Sequence, residues 1–400
     1  MSKPDVMNDI RIQAKEIADD VKLYREICEK EEYDFDQTIK ESNIDEIPYI
    51  NWSYFKESNQ RYSELLRIPY KNLSHWTISS STSGDPSIVG RGTQDIEIFK
   101  RNYKRVFQEY SNMDSIEDLI LFAPCLRFMN RMPGSWMGKR GFLFYRDITK
   151  IWQDYNITYL LKFKFWKLIL HYITHFKAKA FIEIDGKLLK KTLKRVEEER
   201  IPTLIANSAP LMYENFIHYR KRYKDGFDMP ESFRIQTGGG GWNGVKGRVK
   251  LDHQINKASF FEKIGDFFNI PISNFADLFG ATETPIACGG HWSKKYNDIV
   301  LHMDKEQGRI ILRAIDTLEK IKKTKQRGVL QAITPYGVDT YAGHSILLDD
   351  IAEILDFNRC DECGRENVIV FRIIDKLTPE IGKGCTSFHN LYPFKNNPNL

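Results

Sequence analysis

Short apolar runs that stop at turn residues and alternate with helical stretches constrain this chain more than any other feature. Leu119–Ala123 stops at Pro124, Ala180–Ile184 at Asp185-Gly186, Thr203–Ala206 at Asn207, and Ser232–Thr237 at four consecutive glycines. Strands separated by helices build layered α/β folds with mainly parallel pairing, because a parallel neighbour needs a crossover long enough to hold a helix. From Arg309 onward the apolar runs Ile310–Leu312, Val329–Ile333 and Val368–Ile374 predict a smaller, more antiparallel part. Near the start, Ile10, Ile17, Val21 and Tyr24 recur at three to seven residues, which predicts helices with one apolar face between residues 5 and 45.

A chain of 400 residues can bury one large core or two. Charged residues make up 28%, the composition of a soluble globular protein and not of a disordered one. The net charge of +5 is spread over 59 basic and 54 acidic residues and does not argue for nucleic acid. Six scattered cysteines suit a reducing compartment and thiol or metal roles better than a disulfide framework. No apolar segment follows Met1–Asp5, so the expectation is a cytoplasmic chain with no secretory signal. The longest apolar stretch, Tyr159–Ile173, is interrupted by Lys162, Lys164 and Lys167, too short and too charged to span a bilayer. With Lys177, Lys179, Lys187, Lys190, Lys191 and Lys194 it reads as a basic, partly amphipathic helix pair. Such a pair is either a core element with a solvated lysine face or a docking surface for an acidic partner or an anionic membrane.

Three segments suit phosphate and nucleotide chemistry. Ser79–Ser87 is a loop of hydroxyls and small residues whose backbone N–H groups can cradle phosphate oxygens. Asp277-Leu278-Phe279-Gly280-Ala281-Thr282-Glu283 follows an apolar stretch and ends on a hydroxyl and a carboxylate, suited to a phosphate and to Mg²⁺. Gly238–Gly241 before Trp242 permits close backbone approach to a flat ligand. Taken singly, each also serves as a solvated linker or a turn; their order carries the reading. Further on come Gln331–Gly337, Gly343–Asp350, Cys360–Arg365 and Ile373–Lys376.

In this order the motifs resemble the ANL superfamily of adenylate-forming enzymes. Within it the likeness is nearest to the acyl-protein synthetases, the long-chain-fatty-acid–luciferin-component ligases, with phenylacetate–CoA ligases more distant. The resemblance runs from about Ser79 to Cys385. It implies an α/β fold: a large adenylating core over residues 71–308 and a β-rich subdomain over 309–374. A helical segment over 1–70 would pack on the core, and a short tail, 375–400, would stand in for the superfamily's lid. The implied activity is ATP-dependent activation of a carboxylic acid, a fatty acid foremost, as acyl-adenylate. By the same likeness Ser81, Thr82, Ser83 and Gly84 form the phosphate loop, and Thr282 contacts phosphate. Glu283 then binds Mg²⁺, while Gly239, Gly240 and Gly280 border the nucleotide. Asp277 accepts from adenine, Asp350 binds the ribose hydroxyls with Asp349 as its neighbour, and Arg365 belongs to the same pocket. Two departures stand out: Ser87 lies where the family's loop carries a lysine, and Asp375-Lys376 replaces its Gly-Arg hinge.

Cys385 lies near the C-terminus beside Lys383, a cation that favours thiolate. The resemblance makes it the carrier of the acyl group as a thioester, to be handed to a partner such as a reductase or carrier protein. CoA or a carrier phosphopantetheine as acceptor, and a non-catalytic nucleotide-binding scaffold, remain the alternatives. Cys360-x-x-Cys363 has knuckle spacing. With Cys288 and one histidine, His302 being nearer the relatives' pattern than His291, these cysteines would close a structural Cys₃His zinc site.

Overall fold

The apolar runs between helices become strands of one large mixed sheet. The computed structural model describes residues 5–79, 86–125, 152, 154–163, 165–175, 182–218, 226–246 and 249–377. In chain order the strands are β1 (Ile50–Asn51), β2 (His75–Ile78), β3 (Ile88–Arg91), β4 (Asp118–Pro124), β5 (Asn156–Phe163) and β6 (Ile182–Ile184). Then follow β7 (Thr203–Asn207), β8 (Arg234–Gly238), β9 (Val245–Lys246), β10 (Val249–Lys250), β11 (Phe275–Gly280) and β12 (Ala287–Ser293). The last six are β13 (Asp298–Asp304), β14 (Arg309–Arg313), β15 (Lys320–Ile321), β16 (Arg327–Ile333), β17 (Ser345–Asp356) and β18 (Val368–Lys376).

The sheet order is β15-β14-β16-β17-β18-β13-β12-β11-β8-β7-β4-β5-β6, with β1 added in parallel to β17. Strands β5, β4, β7, β8 and β11 run parallel, so their carboxyl ends share one edge. Beyond β11 the large sheet, β1 apart, is antiparallel from β12 on, earlier than the expected shift at Arg309, because the link from Gly280 to Ala287 is too short for a crossover. At the opposite edge β6 also runs antiparallel to β5. The stretch read as helical from Tyr159 begins instead as β5, which pairs with β4 (Leu119 opposite Ile157), and turns helical only at Phe165. A short apolar run serves strand or helix equally well, and here a free sheet neighbour decides it.

Six α-helices of nine or more residues are described: α1 (Val6–Asp20), α2 (Lys22–Lys30), α3 (Thr93–Ser111), α4 (Phe165–His175), α5 (Gly186–Glu199) and α6 (Lys257–Phe268). Ile10, Ile17, Val21 and Tyr24 are all buried along α1 and α2, as their spacing predicts. Helix α6 starts at Asn256, whose side chain accepts from Ser259 N–H, and ends at Asn269 in the left-handed region. It buries Phe260, Phe261, Ile264, Phe267 and Phe268 against the sheet. Helix α3 crosses the β11–β12 hairpin where glycines leave room: a Cβ on Gly280 would collide with the Tyr103 hydroxyl, and one on Gly289 with the Tyr110 ring. Asn102 Nδ2 donates to Pro285 O at 2.9 Å and Arg105 pairs with Asp304, which pins the hairpin under the helix. No helix among the described residues is long and apolar enough to cross a membrane.

Strand β3 ends in Arg91, which is wholly buried. Its guanidinium donates to Thr77 Oγ1, to Thr282 O at 2.6 Å and to the Tyr341 hydroxyl at 3.2 Å. The Tyr341 hydroxyl in turn donates to Glu283 O at 3.0 Å. A buried cation is tolerated only where such acceptors replace water. Replacing Arg91 with Met strands those acceptors and is expected to lower the unfolding free energy by about 2–4 kcal/mol. Urea denaturation checks this, and an unchanged midpoint would show that the strut carries no load.

Candidate active site and metal centre

The Thr282–Glu283 turn follows β11 directly, so the carboxyl end of a central strand positions both residues. Arg91 and Tyr341 hold the two carbonyls from the far side, leaving the side chains to face elsewhere. The Asp95 carboxylate, in the first turn of α3, accepts from Asp339 N at 2.9 Å and Thr340 N at 3.0 Å, which fixes the loop that carries Tyr341.

A second group comes from the β17–β18 ladder, which places Asp350 opposite Lys376. Lys376 Nζ lies 2.7 Å from Asp349 Oδ1 and 3.3 Å from Asp350 Oδ1. Burial pushes the Asp350 carboxyl up to about 6; Lys376 opposes the rise, while Asp349 and Glu283 add to it. Burial works against the Lys376 charge, yet Asp350, Asp349 and Glu283 outweigh it and hold the ammonium above its usual range. Asp349 and Asp350 are therefore paired with one ammonium, and the charge of Glu283 adds to the field on both Asp350 and Lys376.

Beyond β8, Gly239, Gly240 and Gly241 have φ of +69°, +68° and +91°, a region costly for any residue with a Cβ. Nothing lies within 4 Å of where a Cβ on Gly240 would stand, so the loop presents bare backbone to open space. Register sets Asn207, Thr237 and Asp277 side by side on β7, β8 and β11. The Thr237 hydroxyl donates to Asp277 Oδ1 at 2.6 Å. Burial pushes the Asp277 carboxyl up to about 6, against the Thr237 bond and the charge of Lys257. Next to this row the buried Asn207 Nδ2 and Ser208 Oγ have no hydrogen-bond partner among the described residues. Ligands of open α/β sheets bind at this carboxyl edge.

Arg365 is not brought to this edge. It donates to Glu109 Oε2 at 2.8 Å and lies over the Tyr110 ring at 4.1 Å. Lys376 ends β18 and Arg365 precedes its start, so the two are about 30 Å apart along an extended strand. Ser81, Thr82, Ser83, Gly84 and Cys385 lie outside the described residues.

Arg365 instead borders a group of His291, His302, Cys360 and Cys363, whose donor atoms all lie within 4.8 Å of one another. Cys288, expected as a ligand, is not in it, and His291 takes that place. Gly289 pairs with His302, so His291, two residues on, shares its face, whereas Cys288 points the other way. Cys288 is buried, with its Sγ 3.7 Å from Met303 Sδ. His291 Nδ1 faces Trp292 O at 2.9 Å; a carbonyl only accepts, so Nδ1 carries the proton and Nε2 is left as a lone pair. Tyr110 Oη holds His302 Nδ1 at 2.9 Å. The Nε2 atoms then stand 3.5 Å (His291) and 3.9 Å (His302) from the sulfurs of Cys360 and Cys363. Tetrahedral zinc with bonds of about 2.0–2.3 Å has donor–donor edges of about 3.3–3.8 Å, and the two nitrogen–sulfur separations are close to such edges, so these four residues could hold such an ion. A hydrogen bond with Cys360 lowers the Cys363 thiol to about 6, and Arg365 adds to the shift.

Sequence reading missed His291 as the favoured ligand, and Arg91 and Tyr341 entirely. Only strand register could have selected His291; the other two have no local signature.

The raised Asp277 carboxyl has a stability consequence. Between about pH 4 and 6 the folded chain binds this proton and the unfolded chain has lost it, so this group's contribution to stability falls as pH rises through that window. Asp277→Asn, uncharged throughout, is expected to melt above the native protein at pH 8. The gap should close as pH falls toward 4, and a gap independent of pH would refute the assignment.

The sequence matches no protein-family model, and no curated protein resembles it at a significant level. The fold does have solved counterparts. An open conformation of 2-hydroxyisobutyryl-CoA ligase, in complex with 2-HIB-AMP and CoA, aligns with a TM-score of 0.55 at 13% identity, covering 91% of this chain and 72% of that one. A long-chain-fatty-acid–CoA ligase from Archaeoglobus fulgidus gives 0.46 at 10% identity, over 79% of this chain and 54% of that one. A fatty acyl-adenylate ligase from L. pneumophila, solved with acyl adenylate and pyrophosphate, gives 0.44 at 12%, over 79% and 53%. The chain thus spans about half the length of the last two. The mixed α/β architecture on one large sheet is shared with that 2-hydroxyisobutyryl-CoA ligase.

Proposed function

We propose that this chain is an ATP-dependent acyl-protein synthetase acting on a carboxylic acid, a fatty acid foremost. The observation that carries the reading is the pairing of Lys376 with Asp349 and Asp350 on the β17–β18 ladder, together with the Thr282–Glu283 turn after β11, within the ANL-type fold. In this reading a carboxylate oxygen of the acid attacks the α-phosphorus of ATP, and the bond to pyrophosphate breaks. Thr282 donates its hydroxyl to phosphate, and Glu283 holds Mg²⁺, which offsets charge on the phosphate oxygens. Asp350 accepts from the ribose hydroxyls, and Asp277 from the adenine amino group beside Gly239 and Gly240. The Cys385 thiolate then attacks the acyl carbon, AMP leaves, and a thiol of the partner protein takes the acyl group and returns the Cys385 thiol.

Acid-dependent ATP–pyrophosphate exchange, with Mg²⁺, across fatty, aryl and short acids tests the reading. Exchange is expected with one acid class, and Glu283→Gln should reduce it by about 100-fold or more. Cys385→Ala should leave exchange intact and abolish labelling of the chain by radioactive acid. Transfer that survives Cys385→Ala assigns the acceptor to CoA or a carrier thiol. No exchange from folded protein would leave a nucleotide-binding scaffold.

The Cys₂His₂ group is proposed as a structural zinc site, since four protein donors leave no position for substrate. Atomic emission is expected to find about one zinc per chain. His291→Ala or Cys363→Ser should lose it, and Cys288→Ala should retain it. Loss with Cys288→Ala and retention with His291→Ala would reverse the ligand assignment.

A further inference from the structure

Helix α4 carries Trp166, Leu170 and Ile173 at exposures of 81%, 64% and 63%. Their spacing of four and three residues puts them on one side of the helix. Seven large apolar side chains are exposed among the described residues, and three of them are on this one helix. A fourth, Leu188, is in the first turn of α5.

The two helices start from one corner of the sheet. Asp185 caps α5 by accepting from Leu188 N–H at 3.1 Å, and its other oxygen lies 3.0 Å from Lys162 Nζ, three residues before α4. Lys167, Lys187, Lys190, Lys191 and Lys194 are all exposed. Between Asn156 and Arg195 the sequence has ten basic residues and two acidic ones, so this stretch carries more positive charge than the whole chain's net +5.

We infer that this corner docks on the surface of a bilayer containing anionic lipid. A tryptophan and two aliphatic side chains beside lysines are what an interfacial helix presents: the rings and chains enter the headgroup layer and the ammonium groups meet the lipid phosphates. An acidic protein would satisfy the lysines but needs a matching groove for the stripe; a bilayer needs none. Helix α4 leaves the carboxyl end of β5, the edge that also bears the glycine loop and Thr282. On the proposed function, an acid dissolved in the bilayer would therefore enter from the docked side. The lipid contact itself does not depend on that reading.

Co-sedimentation of the full chain with vesicles of phosphatidylcholine, alone or mixed with phosphatidylglycerol, is the test. Binding is expected to the mixed vesicles only, at least about tenfold above phosphatidylcholine, and to weaken with salt. Leu170→Glu with Ile173→Glu, and separately Lys187→Glu with Lys191→Glu, should each reduce it about tenfold with circular dichroism unchanged. Absence of native binding, or double variants that bind as the native chain does, overturns the inference. The first outcome would turn the surface over to an acidic protein partner. Exchange with a water-soluble acid, measured on the same variants, separates this result from any failure of the adenylation reading.

Discussion

Three stretches far apart in sequence meet at a single buried guanidinium. Arg91 ends the β2–β3 ribbon, Thr282 lies in the turn after the central strand β11, and Tyr341 precedes β17. Without the guanidinium the Thr282 carbonyl would lose its charge-assisted donor, and without the Tyr341 hydroxyl the Glu283 carbonyl would lose its partner. With both, the turn after β11 is set to a fixed height above the sheet, and everything assigned to that turn inherits the placement. The glycines under α3 act in the same direction: they let a helix lie directly on the hairpin, and Tyr110 passes that position on to His302.

Strand parity organises the rest. On β12 one face looks toward His302 and the cysteines of the β17–β18 turn, and the other packs Cys288 into the core. A one-residue slip would exchange the two faces, so the register of a single hairpin separates the histidine–cysteine group from an apolar interior.

Much of the architecture is legible in the sequence. The apolar runs that become β4, β7, β8, β14, β16 and β18 are bounded by residues with local reasons to end a strand, and Gly239 and Gly240 take the conformations their type permits. Asp350, named from a motif, pairs with the Lys376 ammonium, a partner that nothing in the spacing of the motifs supplies. What was not legible depends on partners distant in the chain. β5 is a strand because β4 is beside it; His291 replaces Cys288 because of a pairing register; Arg365 lies at the wrong end of β18 for its expected pocket. Local pattern carries no information about any of these choices.

The ladder pairing of Asp350 with Lys376 has a further consequence. The ammonium is tethered by its own backbone to the carboxylates it neutralises, so the chain carries its own internal counter-ion. Any cation arriving at Glu283 or Asp350 competes with a partner present at high effective concentration, and any anion arriving there must recruit Lys376 away from it. Binding at this corner is thus an exchange between tethered and free charge, and its terms are set by the ladder that holds Lys376 opposite Asp350.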